Sequence, residues 1–345
     1  MSNITVAIGI VTYNRLDFLK QALYSALIEE QFIKEIIVVD DGSTDGTKEY
    51  LQSLNNPKVK PIIHQTNQGR PTARNSVVQN LTSDFLIWLD DDDSLIPGII
   101  KSHLTHLSKN PSAQVIYGNL IMSDENLTPY KQLTYRQIPA NQVLLNLLFE
   151  DVFPQPGTMI HNSVFKLVGP YDSRKLRAQD YDFWARAAIA GCSFSLNNTP
   201  VVLYRQHKQN LANPEEVRHQ SKYQCEIIEH ILAHAKIENI FSTFDWSNKA
   251  QESAAQAMQI VAKIFFDHGN DALALECIDH SLSFVTDPRS AAMKAMILRA
   301  QNNLAAATEQ FSHLAMQIFP DLNYMYQPIG APRGSLAVAE KGKGN

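Results

Sequence analysis

The chain is poor in cysteine. Its three residues, Cys192, Cys225 and Cys277, are widely spaced and odd in number. That pattern excludes a cysteine-based metal site and a disulfide framework, and it points to a reducing compartment. No apolar run approaches the length needed to span a bilayer. Met1-Ser2-Asn3 leads straight into the apolar run Ile4–Val11, with no basic start and no cleavage site. The expectation is a cytoplasmic protein, with peripheral attachment at the inner face of a membrane left open. A net charge of -5 comes with no basic stripe, so nucleic acid is not an expected partner. No G-x-G-x-x-G follows a strand, which argues against a dinucleotide-binding oxidoreductase. Nor is Thr12-Tyr13-Asn14-Arg15 the glycine-rich loop that a sugar nucleotidyltransferase needs after its first strand.

What is present is an ordinary globular composition, 44% hydrophobic and 19% charged over 345 residues, a length that suits two domains. Val6–Val11, Glu35–Val39 and Val59–His64 read as strands, with apolar residues at helical spacing from Phe18 to Leu27 between the first two. Phe85-Leu86-Ile87-Trp88-Leu89 reads as a strand buried on both faces. Strand and helix alternating at this rhythm imply right-handed crossovers and a mostly parallel sheet flanked by helices.

Chemistry gathers at the strand ends. Asp90-Asp91-Asp92-Asp93 follow the fourth strand at its carboxyl end, where open α/β sheets bind ligands. Carboxylates so close repel one another unless a cation or bulk water intervenes. A hard divalent ion, Mn²⁺ or Mg²⁺, is one explanation. A solvated acidic turn, with Asp93 or Ser94 capping a helix announced by Pro97, is the other. Asp41–Gln52 places Asp41, Ser43, Asp45 and Gly46 at calcium-loop positions, but Gln52 stands where a bidentate Glu is required, and calcium is rejected. Asp41 is better read as a carboxylate for a nucleobase N–H or a ribose hydroxyl, or simply as part of an Asp/Gly/Ser turn in which Gly42 allows the close bend. Gly69 and Pro71 make a loop feeding a helix N-terminus. Arg70 and Arg74 there form either an anion site or a solvated face.

Val6–Arg15, Val38–Asp45, Gly69 with Ala73-Arg74-Asn75, and Leu89–Asp93 together resemble the family 2 glycosyltransferases, inverting enzymes of the GT-A fold, over roughly residues 4–210. The resemblance implies a nucleotide-diphosphate sugar donor bound by Thr12, Tyr13, Asn14, Arg15, Asp41, Gly69, Arg70 and Arg74. The family's aspartate-x-aspartate motif falls on Asp90-Asp91-Asp92. Asp92 is then the metal ligand, while Asp90 or Asp91 faces ribose or metal-bound water. In Gln179-Asp180-Tyr181-Asp182-Phe183-Trp184 the family base falls on Asp180, although Gln179 replaces the usual acidic residue. Asp182 is a weaker candidate that could only cap its helix. Trp184 either stacks on an acceptor sugar or fills the core. His207 matches a family histidine near the metal or diphosphate, and an imidazole ligand would favour Mn²⁺ over Mg²⁺.

The expected domains are a catalytic domain at 1–212, an all-α domain at 213–321 beginning at the cap Asn213-Pro214, and a loosely ordered tail at 322–345. Gly269-Asn270, Ala274, Ile278 and Pro288 are echoed by Asn302-Asn303, Ala307, Phe311 and Pro320. This resembles tetratricopeptide-type helix pairs, with a plain helical bundle as the alternative. The expected function is transfer of a sugar, from a UDP-sugar first of all, to a saccharide or lipid-linked acceptor in polysaccharide or glycan synthesis. A protein partner or self-association through the helical part is a further expectation. A catalytically silent helical scaffold is the alternative from a different class. Sugar, acceptor and oligomeric state are not written in the sequence.

Overall fold

The computed structural model describes residues 4–207 and 214–301, together with 303 and 307. The expected boundary at 212–213 and the helix cap Asn213 lie outside the described residues. So do Asn302, Phe311, Pro320 and the tail from 322. The chain divides into two compact units, Met1–Tyr223 and Gln224–Asn345.

The first unit is built on one nine-stranded sheet. Its strands are β1 (Val6–Thr12), β2 (Glu35–Asp40), β3 (Val59–Ile63), β4 (Phe85–Asp90), β5 (Ser94–Leu95), β6 (Val115–Ser123), β7 (Pro129–Leu133), β8 (Met159–His161) and β9 (Phe194–Arg205). They lie in the order β3-β2-β1-β4-β8-β6-β9-β5, with β7 beside β6. β3, β2, β1 and β4 run parallel, as expected. The other half departs from the expected mostly parallel sheet. β8 is antiparallel to both β4 and β6, β7 to β6 and β5 to β9, and only β6 and β9 are parallel there. The sheet is therefore mixed.

Two-residue alternation divides the central strands between the two layers. Ile8, Ile10, Ile36, Val38, Ile87 and Leu89 join one core cluster with Leu19 and Leu23 of helix α1 (Leu16–Ile28). Each such leucine contributes about 2 kcal/mol by burial. On the other face Gly9 lets helix α3 approach closely, since a Cβ there would lie 2.8 Å from Val77 Cγ1. The intervening helix α2 is Thr47–Ser53, and α3 is Arg70–Gln79 with Pro71 in its first turn. The remaining helices of this unit are α4 (Ile99–Lys109), α5 (Val143–Phe149), α6 (Asn162–Val168) and α7 (Gln179–Ile189).

Helix α8 (Pro214–His234) crosses the division between the units. Beyond it the described residues of the second unit form α9 (Ile237–Ile240), α10 (Ala250–Asp267), α11 (Asp271–Phe284) and α12 (Pro288–Ala300), with no strand among them. Gly269, at φ 77°, turns the chain between α10 and α11, and Asn270 caps α11 by accepting the Leu273 N–H. A part-buried polar seam joins α10, α11 and α12: Gln259 donates to Asp287 and Ser290, and Ser281 donates to the Ala255 carbonyl.

Candidate active site

The parallel half reverses its strand order at β1, and a cavity of about 360 Å³ opens at the carboxyl ends of β1, β2 and β4. This is where the topology of an open sheet leaves a crevice. Of the residues singled out in the sequence, Thr12, Tyr13, Arg15, Asp41, Arg70, Arg74, Asp90, Asp91 and Asp92 line it.

Three loops are stitched together to form the rim. Asn14, at φ 52°, accepts the Thr44 N–H through its side chain (2.8 Å) and gives its own N–H to Ser43 Oγ (2.9 Å). Asn14 thus holds the loop after β1 to the loop after β2, and it is not among the lining residues. Asp45 accepts the first free N–H of α1, from Leu16, at 2.9 Å. Gly42 takes φ 81°, and a Cβ there would stand 2.6 Å from the Thr66 carbonyl carbon. Only glycine allows that approach, and it brings the Gln68 and Gly69 N–H groups onto Asp41 at 3.0 and 2.9 Å. Gly69 acts there through its backbone.

The acidic cluster is held from several sides. Arg15 Nη1 donates to Asp92 Oδ2 (2.7 Å) and Asp91 Oδ1 (3.2 Å), while His207 Nε2 lies 2.9 Å from Asp92 Oδ2. Burial, and then the charge of Asp92, push the Asp91 carboxyl up to about 6 against the opposing pull of Arg15. Asp90, Asp92 and Asp93 present carboxylate oxygens within 4.8 Å of one another. Asp93 is fully buried and accepts the Arg205 N–H at 2.9 Å. Neither Asp93 nor Ser94 caps a helix: Ser94 pairs with β9, and α4 starts after Gly98 with no side-chain cap. The solvated-turn alternative for this stretch therefore does not hold, because Asp91, Asp92 and Asp93 are all buried.

Arg74 is 2% exposed, gives one nitrogen to Asp90 Oδ1 (3.2 Å) and leaves Nη1 without a partner. A buried guanidinium with an unused donor on a cavity wall is suited to an anion. Arg70 opens α3 with the free N–H groups of its first turn. The Arg70 side chain is exposed; desolvation by the groups around it pulls its pKa down, but Asp90, Asp91, Asp92 and Asp180 outweigh that and raise it. Asp180 lies in the first turn of α7, half-buried, within the electrostatic reach of Arg70, and outside the set of lining residues. Asp182 is taken up by Arg186 Nε at 2.9 Å, which leaves it a structural partner.

Of the two readings of Trp184, the core one holds and the sugar-stacking one does not. The side chain is fully buried among Phe153, Phe183 and Phe194, and offers no face to a sugar ring. Sequence reasoning also missed residues that matter here. Asn67, Arg177 and Tyr204 line the cavity. In the basic stretch before Asp180, Arg174 pairs with Asp172 and Lys175 faces Asp182, so Arg177 is the member that reaches the cavity. Arg205, 1% exposed, donates to the carbonyls of Asp92 and Glu125 (both 2.6 Å) and to Gln21 Oε1 (2.9 Å), with Phe18 beneath it. It anchors the acidic turn. The signal was its place in Tyr204-Arg205-Gln206-His207, two residues before the histidine singled out.

Residues 7–167, just under half of the chain, match the family model described as glycosyl transferase family 2. The chain is 25% identical over 207 residues to an uncharacterised glycosyltransferase of Methanocaldococcus jannaschii, covering 58% of this chain and 70% of the relative. It is 24% identical over 197 residues to Escherichia coli K12 WcaA, provisionally a colanic acid biosynthesis glycosyl transferase, covering 54% and 67%. An uncharacterised Rickettsia conorii glycosyltransferase is 31% identical over 189 residues, but the match spans 52% of this chain and only 30% of the relative. Among solved structures, S. aureus TarS 1–349 in complex with UDP-GlcNAc superposes with a TM-score of 0.51 at 16% identity, covering 91% of each chain. At that identity the likeness shows the fold, which is of the GT-A kind. Among the described residues no helix is long and apolar enough to cross a membrane.

Proposed function

We propose that this chain is an inverting glycosyltransferase. It would move a sugar from a nucleotide-diphosphate donor, a UDP-sugar first of all, to a hydroxyl of a saccharide or lipid-linked acceptor in cell-surface polysaccharide or glycan synthesis. The observation that carries the reading is the meeting of Asp41, Asp90–Asp92 and the half-satisfied Arg74 around one cavity at the reversal point of the sheet.

In this reading Asp41 receives the base, and Thr12, Tyr13 and Arg15 form the wall beside it. Arg70, Arg74 and the first turn of α3 take the diphosphate, and Asp90 or Asp91 faces the ribose. The acceptor hydroxyl attacks the anomeric carbon as the bond to the diphosphate breaks, and its proton passes to Asp180. The charge arriving on the leaving diphosphate is met by Arg70 and by the Arg74 guanidinium, which Asp90 already holds in place, so little reorganisation is needed at Arg74.

A divalent cation, Mn²⁺ or Mg²⁺, belongs to this reading, and the residues fit one. Hard carboxylate oxygens from Asp90 and Asp92 sit close together, and the His207 imidazole rests on Asp92. Asp92 and His207 would hold the ion, which would supply positive charge to the diphosphate. The imidazole favours Mn²⁺. The helical unit, as tetratricopeptide-type pairs or as a plain bundle, is proposed to serve a protein partner or a second copy of the chain.

The test is release of nucleotide from a panel of UDP-, GDP- and dTDP-sugars, with Mn²⁺, with Mg²⁺ and with chelator. Metal-dependent release from one donor is the expected result and names that donor. No release, together with no rise in melting temperature with any nucleotide, would favour a silent scaffold.

A further inference from the structure

His64 has no part in the roles described so far. It follows β3, and its ring bridges two elements. Nδ1 lies 2.7 Å from Asp41 Oδ1, and Nε2 lies 2.9 Å from Ser76 Oγ on α3. Oδ1 of Asp41 also accepts the Gln68 N–H at 3.0 Å, and Oδ2 accepts the Gly69 N–H at 2.9 Å.

A carboxylate has about four acceptor sites, two on each oxygen. Three of those on Asp41 are taken. Oδ1 is full, with His64 on one lone pair and a backbone N–H on the other, while Oδ2 keeps one. Asp41 is only 2% exposed, yet it lines the cavity, so a ligand meets a carboxylate with a single vacant acceptor.

We propose that His64 is a positioning residue that sets which nucleobase the site accepts, by filling Oδ1 of Asp41 and leaving one acceptor for the base. The inference rests on the donor-site reading given above, in which the base meets Asp41. Uracil and thymine present one imide N–H on that edge, and one acceptor satisfies it. Guanine presents N1–H and the N2 amino group side by side, which calls for both carboxylate oxygens. With Oδ1 filled, one guanine N–H is buried without a partner, a cost of roughly ten- to hundredfold in affinity. Ser76 holds the imidazole from its far side, so the ring cannot swing away and free Oδ1.

Calorimetric titration of UDP, dTDP and GDP into the full chain with Mn²⁺ tests this, on wild type, His64→Ala, His64→Asn and Ser76→Ala. Wild type is expected to bind UDP and dTDP at least tenfold more tightly than GDP. His64→Ala vacates a site on Oδ1, so GDP gains a bond and the ratio should fall by about tenfold. In His64→Asn the amide N–H stands close to where Nδ1 was, and most of the ratio should return. A residue that served only the stability of the loop would weaken all three nucleotides alike, with no return of selectivity in the asparagine variant. Should His64→Ala fail to fold, Ser76→Ala carries the test, with an intermediate ratio expected.

An unchanged ratio in the folded variants overturns the inference and leaves the transferase reading standing. The same holds if wild type prefers GDP. Absence of binding by any nucleotide to the wild type removes both.

Discussion

Replacing Arg205 by methionine isolates what anchors the acidic turn. Methionine keeps most of the aliphatic volume and removes three donors, those to the carbonyls of Asp92 and Glu125 and to Gln21 Oε1. The guanidinium also lies 4.6 Å from the centroid of the Phe18 ring, and methionine brings no charge to that ring face. Hydrogen bonds from a charged donor are each worth about 1.5–3 kcal/mol, and the cation–π attraction about 1. Against this, the variant no longer has to strip water from a buried guanidinium, which returns several kcal/mol. The net expectation is a loss of about 3–4 kcal/mol. The assay is urea unfolding in a Trp246→Phe background, where the two remaining tryptophans, Trp88 and Trp184, both report on the first unit. Arg205→Lys, with one donor centre in place of a fork, should fall between the two. A loss below about 1 kcal/mol for the methionine variant would refute the view that Arg205 anchors this turn.

Three further outcomes follow from the same structure. His103 is fully buried, with Nε2 2.9 Å from the Gly157 carbonyl and Nδ1 accepting from Asn197, and burial lowers its pKa to about 4. The unfolded chain therefore takes up this proton first as pH falls. His103 should contribute a loss of about 3 kcal/mol between pH 6.5 and 4, and urea titrations across that window should show this part of the slope vanish in His103→Gln. Gly42→Ala forces a Cβ against the backbone of Thr66 and Asn67 at a positive φ, and should cost about 3 kcal/mol while weakening nucleotide binding in calorimetry. Trp184→Leu should cost about 2 kcal/mol in the same unfolding assay and leave the KM for any acceptor unchanged, because the ring is sealed inside an aromatic cluster.

The parallel half of the fold was legible because three of its strands, β1, β2 and β4, are buried on both faces and appear as apolar runs. Long-range pairing was not. β8 is three residues long and carries no period of its own. β9 contains Asn197-Asn198-Thr199-Pro200, which by composition is a turn, and the ladder with β6 absorbs it through register shifts at Gly118 and Asn119. At the site, Asp41, Asp90–Asp92, Arg70 and Arg74 could be found because each stands at a strand end or a helix start, where local sequence indicates position. The roles of His64 and Arg205 could not, even where position gave a signal for Arg205, because what they do depends on partners 23 and 113 residues away. Trp184 shows a different limit. Helical periodicity places it on a face of α7 without saying whether that face meets a sugar or the core, and three facing aromatics settle it for the core.

The central claim is that the cavity at the end of β4 cleaves a nucleotide sugar through Asp92. The most direct measurement compares nucleotide release by wild type and Asp92→Ala, at saturating Mn²⁺, with the donor that the panel identifies. Release should be lost in the variant by a hundredfold or more, on the order of 3 kcal/mol of barrier, with the melting temperature close to that of wild type. Equal release by the two proteins would contradict the account.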